Sequence, residues 1–336
     1  MKSRKNAVLP LASLSLAALS LIAARPAQAQ YMYVGDYNGN QVLRFDQTTG
    51  IPDAANPFIK TLGHTESIRG YDGVLLVADA EGGTNRLAKY NINTGAALTG
   101  PGASFFINTA LYDIAISPDA TTAYIAEDAQ IASYDLATGN LIASHATPDS
   151  WGVAINPKTG EIFTGNGWQT GAAGVYAYDA NLGTQRTVVA AGDHGLKAVA
   201  GITFAKDGSF YVVNGGNFDA GNGFVNHYKA DGTFISTMTA SDPAAISRAF
   251  AAAIGPDGNL YVTSFLGACV LKFNTTTDTF DSVFVAPHGG NLSSAKTLDF
   301  SVNHIETAVP EPGSVALLCA VGVAGAGLFR RRRAKK

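Results

Sequence analysis

Cysteine and charge are both scarce in this sequence, and each scarcity excludes a class of protein. Two cysteines, Cys269 and Cys319, are too few for a disulfide-stabilised scaffold or a multi-cysteine zinc site. Cys269 stands in an apolar, strand-like run, where a buried and unreactive thiol is expected. Charged residues make up only 15% of the chain, but the 46% apolar content excludes a disordered protein.

Basic residues are especially rare in the body of the chain. Residues 26–309 contain 13 Lys and Arg against 25 Asp and Glu, a net charge of −12, whereas the whole chain carries −3. Nucleic acids and anionic membrane surfaces are bound through clustered Lys and Arg. The body is therefore predicted to bind no nucleic acid.

The familiar catalytic motifs are also missing. The sequence contains no Ser-His-Asp order, no CxxC pair, no phosphate-binding loop and no GxGxxG that opens a helix. The sequence therefore indicates no particular reaction, and none of these motifs indicates a cofactor.

The first 29 residues have the build of a secretory signal peptide. Three basic residues within 2–5 precede an apolar stretch at 7–24, and Ala27-Gln28-Ala29 supplies small residues for cleavage after Ala29. The alternative is an uncleaved N-terminal membrane anchor. Both interpretations direct the body out of the cytoplasm.

The C-terminal end carries a second apolar segment. Residues 315–329 are uncharged, which is short against the ~17–25 residues of a membrane-spanning helix. The arginines that follow would stay on the cytoplasmic side. We expect a short transmembrane helix that anchors the chain transiently in the inner membrane, with later cleavage or retention left open. These arginines are Arg330, Arg331, Arg332 and Arg333.

The same end resembles a known sorting signal. Pro310, Glu311 and Pro312, then the apolar run and the arginines, stand in the order of the PEP-CTERM signal, although Gly313 replaces the Ser or Ala of many members. The resemblance implies a Gram-negative exported protein that an exosortase-type enzyme processes near residues 310–312. Its destination would be the cell surface, the medium or the extracellular matrix. The expected domains are 1–29, the signal peptide, 30–305, the body, and 306–336, the sorting signal.

The body contains a repeat of 44–50 residues. Each unit ends a strand with an aromatic residue followed by a polar one, a second strand precedes it, and turns rich in Gly, Asp and Pro separate the strands. Short strands at this period predict the four-stranded blades of an all-β propeller, and six units predict six blades. The aromatic residues are Phe45, Tyr90, Tyr134, Tyr178, Tyr228 and Phe273.

The phase of the repeat predicts how the ring closes. The mature chain begins at Tyr31, directly in a second strand, so the first blade lacks its innermost strand. Residues 297–303 resemble the inner strands of other units and are expected to complete blade one. That closure would leave no open sheet edge between the first and last blades.

Two of the units resemble the NHL family of propeller repeats. They are residues 77–91, with Asn85 and Arg86, and residues 33–46. Relatives of this kind bind proteins, RNA or glycans, and a few are lyases or lactonases. The fold alone does not choose among these functions.

A polar residue closes each second strand and is expected at one rim of the ring. Such residues could bind a ligand, or they could cap the turn to the third strand by hydrogen bonding to backbone amides. They are Asp36, Asp79, Glu127, Asn166, Asn214 and Ser264.

Three acids begin inner strands near the predicted channel. Asp113 and Asp299 align with glycine or alanine of other units, and Glu66 joins them in the blade between. Clustered carboxylates could hold Ca²⁺. The alternatives are lining of a water-filled channel, or ion pairing with Arg69 or Arg248.

Histidines and tryptophans complete the candidate residues. His145 and His194 are expected in segments that join an outer strand to the next inner strand, where either could act as a base or remain without a role. Trp151 and Trp168 flank strands of blade four and would suit carbohydrate stacking, or simply core packing.

Two functions follow from these features. The first is a non-catalytic binding or structural module for an extracellular polysaccharide or protein. The alternative is a metal-dependent hydrolase or lyase of the propeller-lactonase kind, with the three acids around a cation and His145 or His194 as base.

Overall fold

The computed structural model describes residues 30–61, 63–81, 84–167, 172–215, 223–240 and 246–300. The predicted signal peptide, Trp168, Gly313 and the sorting residues lie outside these ranges. Within them, no helix is long and apolar enough to cross a membrane. Two single-turn 3₁₀ helices, Asp193–Gly195 and Gly289–Asn291, are the helical elements of this part of the chain.

The remaining regular structure consists of β-strands. In chain order they are β1 (Tyr31–Asp36), β2 (Gln41–Asp46), β3 (Ile59–Lys60), β4 (His64–Tyr71), β5 (Val74–Glu81), β6 (Thr84–Asn91), β7 (Ser104–Ile107), β8 (Leu111–Ile116), β9 (Thr122–Glu127), β10 (Gln130–Asp135), β11 (Leu141–Ala146), β12 (Ser150–Ile155), β13 (Ile162–Asn166), β14 (Val175–Tyr178), β15 (Gln185–Val189), β16 (Val199–Phe204), β17 (Phe210–Asn214), β18 (Phe224–Tyr228), β19 (Phe234–Met238), β20 (Ala252–Ile254), β21 (Leu260–Ser264), β22 (Cys269–Asn274), β23 (Thr279–Val285) and β24 (Ala295–Phe300).

These strands form six four-stranded antiparallel sheets, which are the blades of a propeller. Blade one contains β24, β1, β2 and β3 from the centre outwards, and blades two to six take the following strands four at a time. The predicted all-β, six-bladed architecture is confirmed.

The last strand closes the ring on the first. Met32 of β1 pairs with Phe300 of β24, and Tyr33 pairs with Asp299. The closing strand therefore lies where the phase of the repeat predicts it, although it begins at Ala295, two residues earlier than expected.

Burial explains why the strands differ in sequence. Every residue of β13 and β21 is buried, because the second strand of a blade lies between two neighbouring blades. The outer strands β11 and β23 alternate between exposed and half-buried residues over most of their length. An apolar second strand and an amphipathic outer strand are therefore the pattern of each unit.

Turn chemistry fixes the ends of the third strands. Asp46 Oδ1 accepts hydrogen bonds from the backbone amides of Thr48 (3.0 Å) and Thr49 (2.8 Å). Gly50 then adopts φ +69°, and a Cβ there would lie 2.1 Å from the carbonyl oxygen of Phe284. Both the conformation and the close approach require glycine, which explains the recurring Thr-Gly turns.

Long side chains tie each blade to the next. The hydroxyl of Tyr33 donates to the carbonyl of Ile92 (2.6 Å), so β1, the second strand of blade one, is bonded to blade two. Arg44 of β2 donates to the carbonyl of Asn93 (3.1 Å). Its guanidinium also lies 4.0 Å from the centre of the Tyr31 ring. Such contacts add specific polar bonds to the apolar packing between blades.

The ring has two faces, which we name by the inner strands. These strands begin at the upper face and end at the lower face. Because Met32 pairs with Phe300, β1 begins and β24 ends at the lower face. Both ends of the described chain therefore lie on that side of the ring.

Candidate functional site

A ring of side chains surrounds the upper end of the central channel. In five blades the inner strand contains a β-bulge near its start, where one residue has no partner on the second strand. A bulge re-aims the extra side chain, here towards the channel. With the corresponding residue of blade six, the ring consists of Lys296, Glu66, Tyr112, Trp151, Ala200 and Phe250.

This upper mouth is closed by its own side chains. The Tyr112 and Trp151 rings stack with centres 4.8 Å apart, and Trp151 stacks on Phe250 at 6.0 Å. Lys296 forms an ion pair with Glu66, and its ammonium lies 5.0 Å from the centre of the Phe250 ring. The space that remains is about 10 Å³, too small to admit a ligand without movement.

The six polar residues that close the second strands share one contact. Each hydrogen-bonds to the segment that enters the inner strand of its own blade. Asp36 accepts from the amides of Ser293 (3.0 Å) and Ser294 (2.8 Å). Asn214 Oδ1 accepts from the amides of Lys197 (2.9 Å) and Ala198 (3.1 Å).

The other four blades repeat this arrangement with different chemistry. Asp79 accepts from the amide of Gly63 (2.7 Å), and Ser264 Oγ from that of Ser247 (3.1 Å). Asn166 donates to the carbonyl of Pro148 (2.7 Å), and Glu127 accepts from the hydroxyl of Thr109. The expectation that these residues cap the turn to the third strand was wrong for the recurrent contact. The partner found in every blade is instead the segment that connects the outer strand to the inner strand. Asp36 is seen to reach the turn to the third strand as well, through Gly39 and Gln41.

Asp113 and Asp299 each bond two neighbouring inner strands. Asp113 accepts from the amide of Ile114 in its own strand (2.9 Å) and from that of Val153 in blade four (3.2 Å). Asp299 accepts from Phe300 (2.8 Å) and from Gly70 in blade two (2.7 Å).

The register corrects the expected equivalence of these two acids. Asp113 pairs with Ala126, which corresponds to Gly35, and Gly35 pairs with Thr297. Asp299 therefore lies two residues further along its strand, closer to the lower face. The sequence alignment placed it one pleat too early.

Ion pairing is observed for two of the three acids. Arg69 lies 2.9 Å from Asp113, and Lys296 pairs with Glu66. Burial raises the pKa of Asp113, against the opposing effect of the Arg69 guanidinium. Within the described ranges, no group of three or more His, Cys, Asp and Glu side chains is arranged to hold a metal ion.

The two candidate histidines lie away from these acids. His145 belongs to β11 itself, so its expected place in a connecting segment was wrong, and its Nδ1 lies 3.0 Å from the carbonyl oxygen of Leu182 in blade four. His194 does lie in a connection, at φ +44°. Its ring stacks on Phe234 with centres 3.5 Å apart, and its Nδ1 lies 2.8 Å from Asp193.

A large cavity opens on the lower face and has a volume of about 960 Å³. Its walls are the ends of inner strands and the turns that follow them, with apolar side chains such as Ile155, Phe204 and Ile254. The lining also contains two cationic and two acidic side chains, which are Arg69, Lys206, Asp207 and Asp299. Hydrogen bonds from Ser209 hold the pKa of Asp207 below its ordinary value, so this carboxylate stays ionised at neutral pH.

Several residues of both channel ends were missed by sequence reasoning. Tyr112, Phe250 and Lys296 belong to the upper mouth, and His227 lines the lower cavity. A signal for the first three exists in the sequence, because each immediately precedes the position shared by Asp113, Ala251 and Thr297. Only the pairing register shows that the residue before this shared position is the bulged one.

The fold and the chain's end together define a class, an exported β-propeller with a surface-sorting signal. The PEP-CTERM protein-sorting motif matches residues 308–333, which cover the predicted motif residues and the arginine run. This motif indicates export and exosortase-mediated sorting to the cell surface in Gram-negative bacteria. The signal peptide is not itself tested by that match and stays a prediction.

Solved structures place the ring among known propellers. A chain of the nidogen/laminin complex is similar with a TM-score of 0.62 and 12% identity, over 82% of this chain and 99% of that one. A functionally unknown protein of Desulfotomaculum acetoxidans DSM 771 gives 0.55 and 12%, over 80% and 98%. Hydrazine synthase of Kuenenia stuttgartiensis gives 0.54 and 15%, over 74% of each chain. Among curated proteins, no sequence matches the chain. These identities establish a shared fold and no shared activity.

Proposed function

We propose that the protein is a non-catalytic binding module of the cell surface or extracellular matrix, and that its ligand occupies the lower cavity. The observation that carries this proposal is the contrast between the two ends of the channel. The upper mouth keeps about 10 Å³ of free space, whereas the lower cavity offers about 960 Å³. The second volume lies within the range of about 300–1,000 Å³ typical of small-molecule sites.

The contacts of the candidate residues support a binding role over a catalytic one. Glu66 and Asp113 are engaged in ion pairs, and Asp299 bonds two backbone amides. His145 and His194 contact other blades or their own turn. No observation therefore favours the metal-dependent hydrolase or lyase, and we do not propose it.

The route to the surface forms part of the same proposal. The N-terminal 29 residues would direct export, the C-terminal helix would anchor the chain transiently, and processing near residues 310–312 would release the ring. The NHL resemblance of two units stays a prediction that is compatible with this role.

A blocking variant tests the proposal. The protein, purified after export from a Gram-negative host, is screened against defined oligosaccharides and peptides, and each ligand found is measured again by calorimetry. Thr203→Trp fills the cavity wall and should abolish binding, because Thr203 is a half-buried lining residue. Thr187→Trp makes the same change on the exposed outer strand β15 and should leave binding intact.

The upper mouth supplies the opposing outcome. Trp151→Ala would open that mouth without touching the lower cavity. Binding that survives Thr203→Trp but is lost in Trp151→Ala would overturn the assignment to the lower cavity. Absence of any ligand from both panels would contradict the binding role itself.

A further inference from the structure

The six inner strands contribute one residue each to a ring at the level of the lower cavity. In blades one and two this position holds Asp299 and Arg69, which pair with Tyr33 and Leu76 of the second strands. In the other four blades the residue is small and uncharged, and all six line the cavity. The small residues are Ala115, Ala154, Thr203 and Ala253.

The residues before and after this ring position turn their backbone groups towards the channel. In an antiparallel pair, every second residue directs both its N–H and its C=O away from the partner strand. The amide of Gly255 donates to the carbonyl of Asn259 (2.9 Å), so the residue before it faces the channel instead. The same alternation holds in β16, where the amide of Ala205 donates to the carbonyl of Ser209 (2.8 Å). The channel-facing residues that line the cavity in blades five and six are Ile202, Phe204, Ala252 and Ile254.

Carboxylates bond such amides in the first four blades. Asp299 accepts from the amides of Phe300 and Gly70, in blades one and two. Asp113 serves one amide in each of blades three and four. Within the part of the chain that the structure describes, the four channel-facing amides of blades five and six have no such partner. The inner edges of β16 and β20 are therefore open to the cavity.

The edge of β20 is the less covered of the two. Ala253 carries a single methyl group and Gly255 has no side chain. The corresponding stretch of β16 contains Thr203 and leads to the charged Lys206 and Asp207. A further strand must approach an edge to about 4.7–4.9 Å, and small side chains permit this approach. The edge of β20 thus has room for a partner inside the cavity.

The backbone groups of this edge indicate the kind of partner that fits. Ala252 and Ile254 each offer one donor and one acceptor, about 6.6–6.8 Å apart along the strand. An extended peptide presents matching groups at the same spacing, and strand addition to an open edge is a common mode of peptide recognition.

The walls beside the edge narrow the class of peptide. They are apolar, with Ile155, Phe204 and Pro256 among their side chains, and the four charged lining residues are balanced in sign. The hydroxyl groups of an oligosaccharide would be left without partners against such walls. We propose that β20 pairs through Ala252 and Ile254 with an extended, uncharged peptide segment that carries apolar side chains. This pairing rests on the proposed function, since it assigns the ligand class of the same cavity.

Proline tests the pairing because it removes a single amide. Ile254→Pro deletes a channel-facing N–H and spares the hydrogen bonds between β20 and β21, so the strand should tolerate it. Ile116→Pro is the matched control, since Ile116 has the same register position in blade three, on the opposite side of the ring. The ligands are terminally blocked octapeptides in which Val, Ile or Leu alternates with Thr. Calorimetry should show an affinity that falls about tenfold in Ile254→Pro and stays within about threefold in Ile116→Pro.

Two measurements on the unaltered protein remove any dependence on how the variants fold. Methylation of alternate peptide nitrogens removes the donors of one peptide edge, so one phase of methylation should weaken binding about tenfold and the other should leave it within about threefold. In the complex, the amides of Ala252 and Ile254 should exchange with deuterium more slowly than in the free protein. The amide of Ala253, which faces β21, should keep its rate.

Each result supports or overturns a defined part of the inference. Equal affinity of wild type and Ile254→Pro, equal effects of the two methylation phases, or unchanged exchange of both amides would overturn the pairing with β20. Binding of oligosaccharides alone, blocked by Thr203→Trp, would overturn the peptide class and leave the proposed function standing. Absence of every ligand would instead contradict the proposed function.

Discussion

The hydrogen bonds of Asp36 allow one prediction to be worked through in detail. Its carboxylate is fully buried and accepts from the amides of Ser293 and Ser294, from both of their hydroxyls, and from Gly39 and Gln41. Asp36→Ala leaves two of these backbone donors without a partner at the seam of the ring. Each costs about 1–3 kcal/mol, so we expect a loss of about 2–6 kcal/mol.

The equivalent residues of other blades provide an internal scale. Asn214 serves two backbone amides and Ser264 serves one, so Asn214→Ala should cost about 2–4 kcal/mol and Ser264→Ala about 1 kcal/mol. Asp46→Ala is the control, because its turn amides are exposed and water can replace the lost carboxylate. It should cost less than about 1 kcal/mol.

Urea unfolding followed by tryptophan fluorescence measures all four variants, and thermal unfolding should show a fall of ~2 °C or more for each kcal/mol. The expected order of destabilisation is Asp36, then Asn214, then Ser264. Variants as stable as wild type, or an order unrelated to the number of amides served, would refute the structural role. If ligand binding were lost instead, these residues would be a binding face.

Three further outcomes follow from the electrostatics. The hydroxyl of Thr184, with nearby backbone amides, lowers the pKa of Asp179 from its ordinary value of 3.8 to about 2. Asp179→Ala should therefore reduce the melting temperature at pH 5–7, and the difference from wild type should vanish as the pH falls through about 2. Glu66→Gln leaves the buried Lys296 charge unpaired and should cost about 3–5 kcal/mol in unfolding experiments, whereas Glu66→Gln with Lys296→Met should recover most of it. EDTA or millimolar Ca²⁺ should leave the melting temperature unchanged. A higher melting temperature with Ca²⁺ would indicate that Glu66, Asp113 and Asp299 are metal ligands after all.

The architecture was predictable because its signals are local and repeated. An aromatic residue followed by a polar one, as Tyr134 is by Asp135, marks a third strand in each unit, and a Thr-Gly turn follows it in three of the six. The start of the body at Tyr31, inside a second strand, leaves one inner strand to be supplied by the chain's end, and β24 supplies it. Period and phase suffice for such inferences.

The two channel ends were predictable only in part because they depend on register and on distant strands. Glu66 and Trp151 were identified as single residues, but their common ring requires the bulges. Asp299 was misaligned by two residues, because only the pairing of Gly35 with Thr297 and of Ala126 with Asp113 shows which positions are equivalent. His227 forms its side-chain hydrogen bond with Asp278, which lies 51 residues away in another blade. No local pattern marks that pair.

The closing strand also sets an order of events during export. The first strand must wait for a partner that lies 258 residues later, as the bond from Ser294 to Asp36 measures. In a chain exported from its N-terminus, as the predicted signal peptide implies, β1 is an open edge until residue 300 has crossed the membrane. The sorting motif begins at residue 308, so it reaches the membrane just as the fold can be finished. Only chains delivered as far as residue 300 can close the ring, and a chain truncated before β24 would keep an open edge exposed to proteases.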